Sequence, residues 1–144
     1  MGRRHQIAKE ISFIVPTYLR HVLPHVLKTI DLPPSQIIAL VTLQDKGRCR
    51  LSDLSKEMHV SAPTITGIID RMEKSGYVRR SADRKDRRAT NVTLTKKGEV
   101  AAQRFRNSIR IKWEAILEHL PTGDQETWLR IFRNITQGLA QNAH

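Results

Sequence analysis

The sequence predicts a mainly α-helical chain with one small β-hairpin, and three observations carry that reading. Apolar residues recur at steps of three and four over most of the length, the period of a helix that buries one side. Alternation of period two is confined to Ala89–Thr95, where Val92 and Leu94 interleave with Asn91, Thr93 and Thr95, the pattern of a half-buried strand. Charge is concentrated around that strand: Lys46–Arg106 holds 16 Lys/Arg against 7 Asp/Glu, a net +9, with +2 before it and 0 after it. A localised positive field suits a polyanion, because phosphate contacts release condensed counterions and steer encounter. The plainer alternative is a basic face kept for solubility.

The global composition excludes several classes. The 144 residues are one domain's worth of chain, 39% hydrophobic and 27% charged, which suffices for a core without metal or disulfides. No apolar run reaches the roughly 20 residues that cross a bilayer. The opening MGRRHQIAKE lacks the apolar stretch and small-residue site of a secretory signal. The single cysteine, Cys49, forbids an intramolecular disulfide and fits a reducing compartment, so a cytoplasmic location is expected.

Along the chain, Ile7, Ile11, Ile14, Tyr18, Val22 and Val26 form a first helical stripe. Pro16 and Pro24 each remove a backbone donor and crowd the preceding turn, which predicts a kinked or broken helix. A long apolar stripe needs a surface to pack on, and in so small a chain a second copy is a reasonable one. LPPS at 32–35 is a break, after which Ile37, Leu40, Val41 and Gln44 start a short helix with proline in its first turn; Gly47 stops it.

Leu51–Met58 reads as a further helix with Ser52 as N-cap and Leu51, Leu54 and Met58 on one face. His59 and Val60 lead to Ser61, the cap of the next helix, which Gly76 ends. Two short helices joined by a tight turn are a helix-turn-helix arrangement. In the second, Ile65, Ile68, Ile69 and Met72 share the core side. Ala62, Pro63, Thr64, Thr66, Gly67, Asp70 and Arg71 then face elsewhere, and small and hydroxyl-bearing residues of this kind let a helix lie deep in a major groove. Tyr77–Ser81 and Ala89–Thr95 are the strands of the hairpin. Their connection, ADRKDRR, has four cations and two aspartates; a long arginine there suits a narrow minor groove, and Asp83 and Asp86 are read as orienting arginines or shaping the turn.

Thr95 caps a long helix with Phe105, Ile109, Trp113, Ile116 and Leu120 at steps of four and three; PTGD breaks it, and Trp128, Phe132, Ile135 and Leu139 make the last stripe. Apolar helices of zero net charge suit a dimer core better than a nucleic-acid surface.

Two short helices, a second helix closed by glycine, and then DRRATNVTLTKKG from Asp86 to Gly98 together resemble the MarR family of bacterial and archaeal transcription regulators, and PPSQIIALVTL resembles that family's second helix. The most specific part is Asp86, Arg88, Leu94, Thr95 and Gly98 at the family's spacing. The resemblance implies a winged helix-turn-helix with N- and C-terminal dimerisation helices. Its parts would be an N-terminal dimerisation segment at 1–31, the DNA-binding region at 32–98 and C-terminal dimerisation helices at 99–144. It implies a homodimer on a pseudo-palindromic operator in double-stranded DNA, usually a repressor released by a small molecule or by oxidation. Carried onto this chain, the groove-facing positions are Ser61, Pro63, Thr64, Thr66 and Arg71. The wing positions are Arg84, Lys85, Arg87 and Arg88, with Asp86 as the aspartate beside the wing arginine.

The trigger is less legible. Cys49 lies between Arg48 and Arg50, which would favour a thiolate and a redox role, although redox-sensing members are expected to carry their cysteine near the first helix. His21 and His25 stand four apart, a spacing that can serve a metal, but no carboxylate or thiol is paired with them and two solvated imidazoles are the commoner outcome. No cofactor is implied; a small aromatic effector is what the family suggests. The chain shows no phosphate-binding glycine loop, no nucleophile with a base and no spaced carboxylate pair, so an enzyme is not expected. A nonspecific architectural DNA binder would use the same basic wing and stays open as the alternative.

Overall fold

The computed structural model describes residues 2–142. Helix α1 (Arg3–Leu27) is followed by α2 (Pro34–Lys46), strand β1 (Cys49–Arg50), α3 (Leu51–Glu57), α4 (Ala62–Lys74), β2 (Val78–Ala82), β3 (Thr90–Leu94), α5 (Lys96–Leu117) and α6 (Thr122–Gln141). The chain divides into two compact units at Ser108.

In the first unit the core gathers around α4. Ile65, Ile68, Ile69 and Met72 are all buried, as their spacing requires, together with Leu40 and Leu43 of α2, Leu54 of α3, Val78 and Val92 of the sheet and Ala101 and Ala102 of α5. Burying such aliphatic side chains stabilises by about 1.5–3 kcal/mol each. Gly47 ends α2 with φ +69, a conformation that only glycine adopts without strain, and its N–H donates to the Leu43 carbonyl.

The sheet is antiparallel in the order β1-β3-β2, with Cys49 opposite Val92 and Arg80 opposite Val92 on the other side. The hairpin strands lie within a residue of their expected limits. The third strand, β1, was not expected: two residues are too few to show a period.

Four further expectations are corrected. Of the kink or break expected in α1, the break does not occur: the helix is continuous through Pro16 and Pro24. Each proline removes a single backbone donor, the one that would reach the Ser12 or the Arg20 carbonyl, and these losses do not end a helix of 25 residues. Ser52 is not the cap of α3. Arg50 holds that position in extended backbone because it pairs with Asn91 in the sheet, and the Ser52 carbonyl instead accepts from the Ser55 hydroxyl. Asn91 does not face solvent; it is 5% exposed, because its amide has a carboxylate partner that alternation alone could not reveal. Cys49 is buried, and its thiol is pushed up from the ordinary value of 9.0, first by burial and then by Asp53, so Arg48 and Arg50 do not create a thiolate.

Thr95 caps α5 as expected: the Gly98 N–H donates to its hydroxyl oxygen, and the hydroxyl donates to the Gly76 carbonyl. In the second unit Trp113 stacks on Trp128, and Trp128 on Phe132, with ring centroids 5.7 and 5.5 Å apart. No residue of α6 is buried, although Trp128, Leu129, Ile131, Phe132, Ile135 and Leu139 lie on it.

Candidate nucleic-acid interface

Helix α4 begins at Ser61, whose side chain accepts from the Thr64 N–H at 3.3 Å and shares a hydrogen with the Thr64 hydroxyl at 2.8 Å. Pro63 stands in the first turn, where a missing donor is harmless. The Thr66 hydroxyl donates to the Ala62 carbonyl at 2.9 Å, which leaves its oxygen able to accept a further hydrogen bond. Ser61, Pro63, Thr64, Thr66 and Arg71 are all exposed, while the opposite side of the helix is core. The Arg71 guanidinium lies along the helix beside Gly67, 3.8 Å from where a Cβ there would be, an ordinary contact distance.

The wing is a built turn. The Asp83 N–H donates to the Ala89 carbonyl at 3.1 Å and closes the tip. Asp83 Oδ1 accepts the backbone N–H groups of Lys85 and Asp86 at 2.9 and 3.1 Å, and Asp86 Oδ1 accepts that of Arg88 at 3.0 Å. The aspartates thus shape the turn, one of the two roles expected of them. Arg84, Lys85, Asp86, Arg87 and Arg88 are all exposed. The backbone hydrogen bonds to Asp83, helped by Asn91 and Arg50, hold its carboxyl below the ordinary value of 3.8.

Arg80 was not singled out by the sequence, yet it ties the wing to α4. Its guanidinium reaches Asp70 Oδ1 at 2.5 Å, Glu73 Oε1 at 3.3 Å and the Thr66 carbonyl at 3.4 Å, while its N–H donates to Glu73 Oε2 at 2.9 Å. The arrangement offsets the two acidic charges that α4 would otherwise present beside its groove-facing residues. Asp70 and Glu73, one helical turn apart on an otherwise basic head, were the signal that could have found it.

A cleft of about 380 Å³ lies between α3, the start of α4 and the wing, lined among others by Arg50, Ser55, Thr66 and Arg88. His21 and His25 are both exposed on α1, and among the described residues no group of three or more His, Cys, Asp or Glu could hold a metal. Among the same residues no helix is long and apolar enough to cross a membrane.

A helix-turn-helix on a three-stranded sheet, with a basic hairpin beyond its second helix, defines a winged helix-turn-helix protein. The MarR family model matches residues 32–90, so the chain carries a MarR family domain over that stretch. Its relatives include the uncharacterized HTH-type transcriptional regulator YfiV of Bacillus subtilis, 31% identical over 97 residues, 67% of this chain and 61% of that protein. The chain thus spans about three fifths of YfiV. It is 24% identical to the HTH-type transcriptional repressor MdtR of the same organism, over 99% of this chain and 92% of that one. The fold is shared with Streptococcus pneumoniae FabT, solved in complex with DNA, at a TM-score of 0.76 and 21% identity, covering 96% of this chain and 98% of that one. These matched proteins of known family are transcriptional regulators and not enzymes.

Proposed function

We propose that the chain is a sequence-specific DNA-binding transcriptional regulator that acts as a homodimer on a pseudo-palindromic operator, as a repressor that a small-molecule effector releases. The observation that carries this reading is the exposure of all ten expected contact residues on two linked elements. Ser61, Pro63, Thr64, Thr66 and Arg71 lie on or at the start of α4; Arg84, Lys85, Asp86, Arg87 and Arg88 form the wing tip. Helix α4 would enter a major groove, where threonine can touch base edges or thymine methyl groups, and the wing cations would reach the flanking minor groove or its phosphates. The complex of FabT with DNA and the repressor name of MdtR support the same reading.

Dimerisation is supported in each unit separately. Helix α1 exposes Ile7, Ile11, Phe13, Ile14, Val15, Leu19 and Leu23, and α6 exposes its own apolar row. Contiguous exposed apolar surface of this kind marks an interface.

The test is binding of the purified protein to a duplex from its own upstream region and to a scrambled duplex of equal length, at low and near-physiological salt. A preference for the upstream sequence that survives salt is expected. Equal and steeply salt-sensitive binding to both would favour the architectural alternative, to which the four wing cations alone would suffice.

A further inference from the structure

The wing carries four cations within five positions, Arg84, Lys85, Arg87 and Arg88, and like charges so close repel one another. Something must hold them in one arrangement, and among the hydrogen bonds of the tip the side chain that gathers the most is Asp83. Its Oδ1 accepts the Lys85 and Asp86 N–H groups. Its Oδ2 accepts from Arg50 Nε at 3.3 Å and from Asn91 Nδ2 at 3.2 Å. The two halves of the carboxylate therefore do different things. One organises the tip, and the other anchors it to residues outside the tip.

The identity of those anchors matters. Arg50 is the cap residue of α3, the first helix of the helix-turn-helix, and Asn91 is a polar residue buried in β3, directly opposite Arg50 in the sheet. The Asp83 side chain is only 14% exposed, whereas that of Arg50 is 42% exposed, so the carboxylate itself is what the fold draws away from water. A purely solvated turn would need neither a buried amide nor an arginine from another element.

We infer that Asp83 is the positioning residue of the reading head: through Arg50 and Asn91 it fixes the wing cations relative to α3 and α4, so that groove and flank are engaged at one spacing. The inference rests on the DNA-binding reading above. It assigns Asp83 no contact with DNA and makes Arg50 a strut rather than a phosphate ligand.

The experiment compares the full-length wild type with Asp83→Ala and Asp83→Asn, since asparagine keeps an oxygen for the two backbone donors. Two readouts are taken. Amide hydrogen exchange at Lys85 and Asp86, without DNA, is expected to quicken at least tenfold in Asp83→Ala and to stay near wild type in Asp83→Asn. Binding to a mixed-sequence 24-base-pair duplex is followed against salt. The slope of log K against log[salt] is expected to shrink by about 1–2 in both Asp83→Ala and Asp83→Asn, at about 0.9 per lost phosphate contact, because the amide nitrogen of asparagine cannot accept from Arg50 or Asn91; a wild-type slope in Asp83→Asn would overturn the anchoring through those two residues. Unchanged exchange and an unchanged slope in Asp83→Ala would overturn the inference. So would an alanine variant whose exchange rises equally throughout α4 and the core, because Asp83 would then act on the fold as a whole. If the wild type showed no salt-dependent binding, the DNA reading would fall, while the exchange arm would still decide whether Asp83 orders the tip.

Discussion

Replacing Gly98 by alanine offers a case in which structure and general rule disagree in sign. Gly98 lies in the first turn of α5, and alanine in a helix is ordinarily worth up to about 1 kcal/mol over glycine. Here, however, the added Cβ would lie 2.1 Å from the Tyr77 carbonyl oxygen and 3.1 Å from Leu94 Cδ2. A carbon and a carbonyl oxygen approach no closer than about 3.3 Å even in their weak hydrogen bonds, so the backbone of α5 or of Tyr77 must give by more than about 1 Å. That same carbonyl accepts the Thr95 N–H at 3.0 Å, and the Thr95 hydroxyl bonds the Gly76 carbonyl, so the shift strains the cap of α5 as well. Overpacking at about 1–3 kcal/mol and a weakened cap at about 1 kcal/mol, less a helical gain of about 1 kcal/mol, leave a net loss of about 1–3 kcal/mol. At roughly 3 °C per kcal/mol for a chain of this length, the midpoint of thermal unfolding by circular dichroism should fall by about 3–9 °C. Gly123→Ala, with nothing within 4 Å of its Cβ, is the control and should be neutral or slightly stabilising. A Gly98→Ala midpoint equal to or above the wild type's would refute the close-approach argument.

Three other outcomes follow from the same geometry. Arg88→Ala should weaken duplex binding and shrink the salt slope by about 1, measured by fluorescence anisotropy; an unchanged slope removes Arg88 from the phosphate contacts. Ile14→Asp in α1 or Ile135→Asp in α6, at positions 63% and 51% exposed, should shift self-association at least about tenfold toward the monomer in sedimentation, with little change in helicity. Cys49 should react slowly with a thiol reagent in the native protein and quickly in denaturant, since burial favours its neutral form. The sign follows: a pKa raised on folding adds stability below the ordinary value of 9.0, and that stability is lost as pH rises through the folded value, so alkaline titration should destabilise wild type more than Cys49→Ala.

How much of this was legible in the sequence depends on the range of the interaction. The stripe Ile65, Ile68, Ile69 and Met72 announced the core side of α4 because helical period is a local property. The Ser61 and Thr95 caps were legible for the same reason. Arg50 was not, since its role comes from Asp83, 33 positions away, and β1 is too short to display a period. Asn91 broke the alternation because a partner on another element makes burial of its amide favourable. The prolines of α1 misled in the opposite direction: their local penalty is real, yet the helix continues through both. Of the site, the exposed positions on α4 and the wing could be read directly, whereas the acidic pair Asp70 and Glu73 pointed to a basic partner without saying that it is Arg80.

The aromatic stack of the second unit has an optical consequence. Both tryptophans of the chain, Trp113 and Trp128, lie beyond Ser108, whereas Tyr18 and Tyr77 lie before it. Selective excitation of tryptophan therefore reports on the second unit alone, and the offset rings make its emission sensitive to any change in their contact. The reading head is dark in that channel but visible in far-ultraviolet dichroism and through Tyr77, whose ring lies 4.4 Å from the Lys97 ammonium. Unfolding curves recorded by the two signals will coincide if the units melt together and separate if they do not. The sequence has thus placed a built-in label on one half of the molecule, and occupancy or assembly at that half can be followed without attaching a dye.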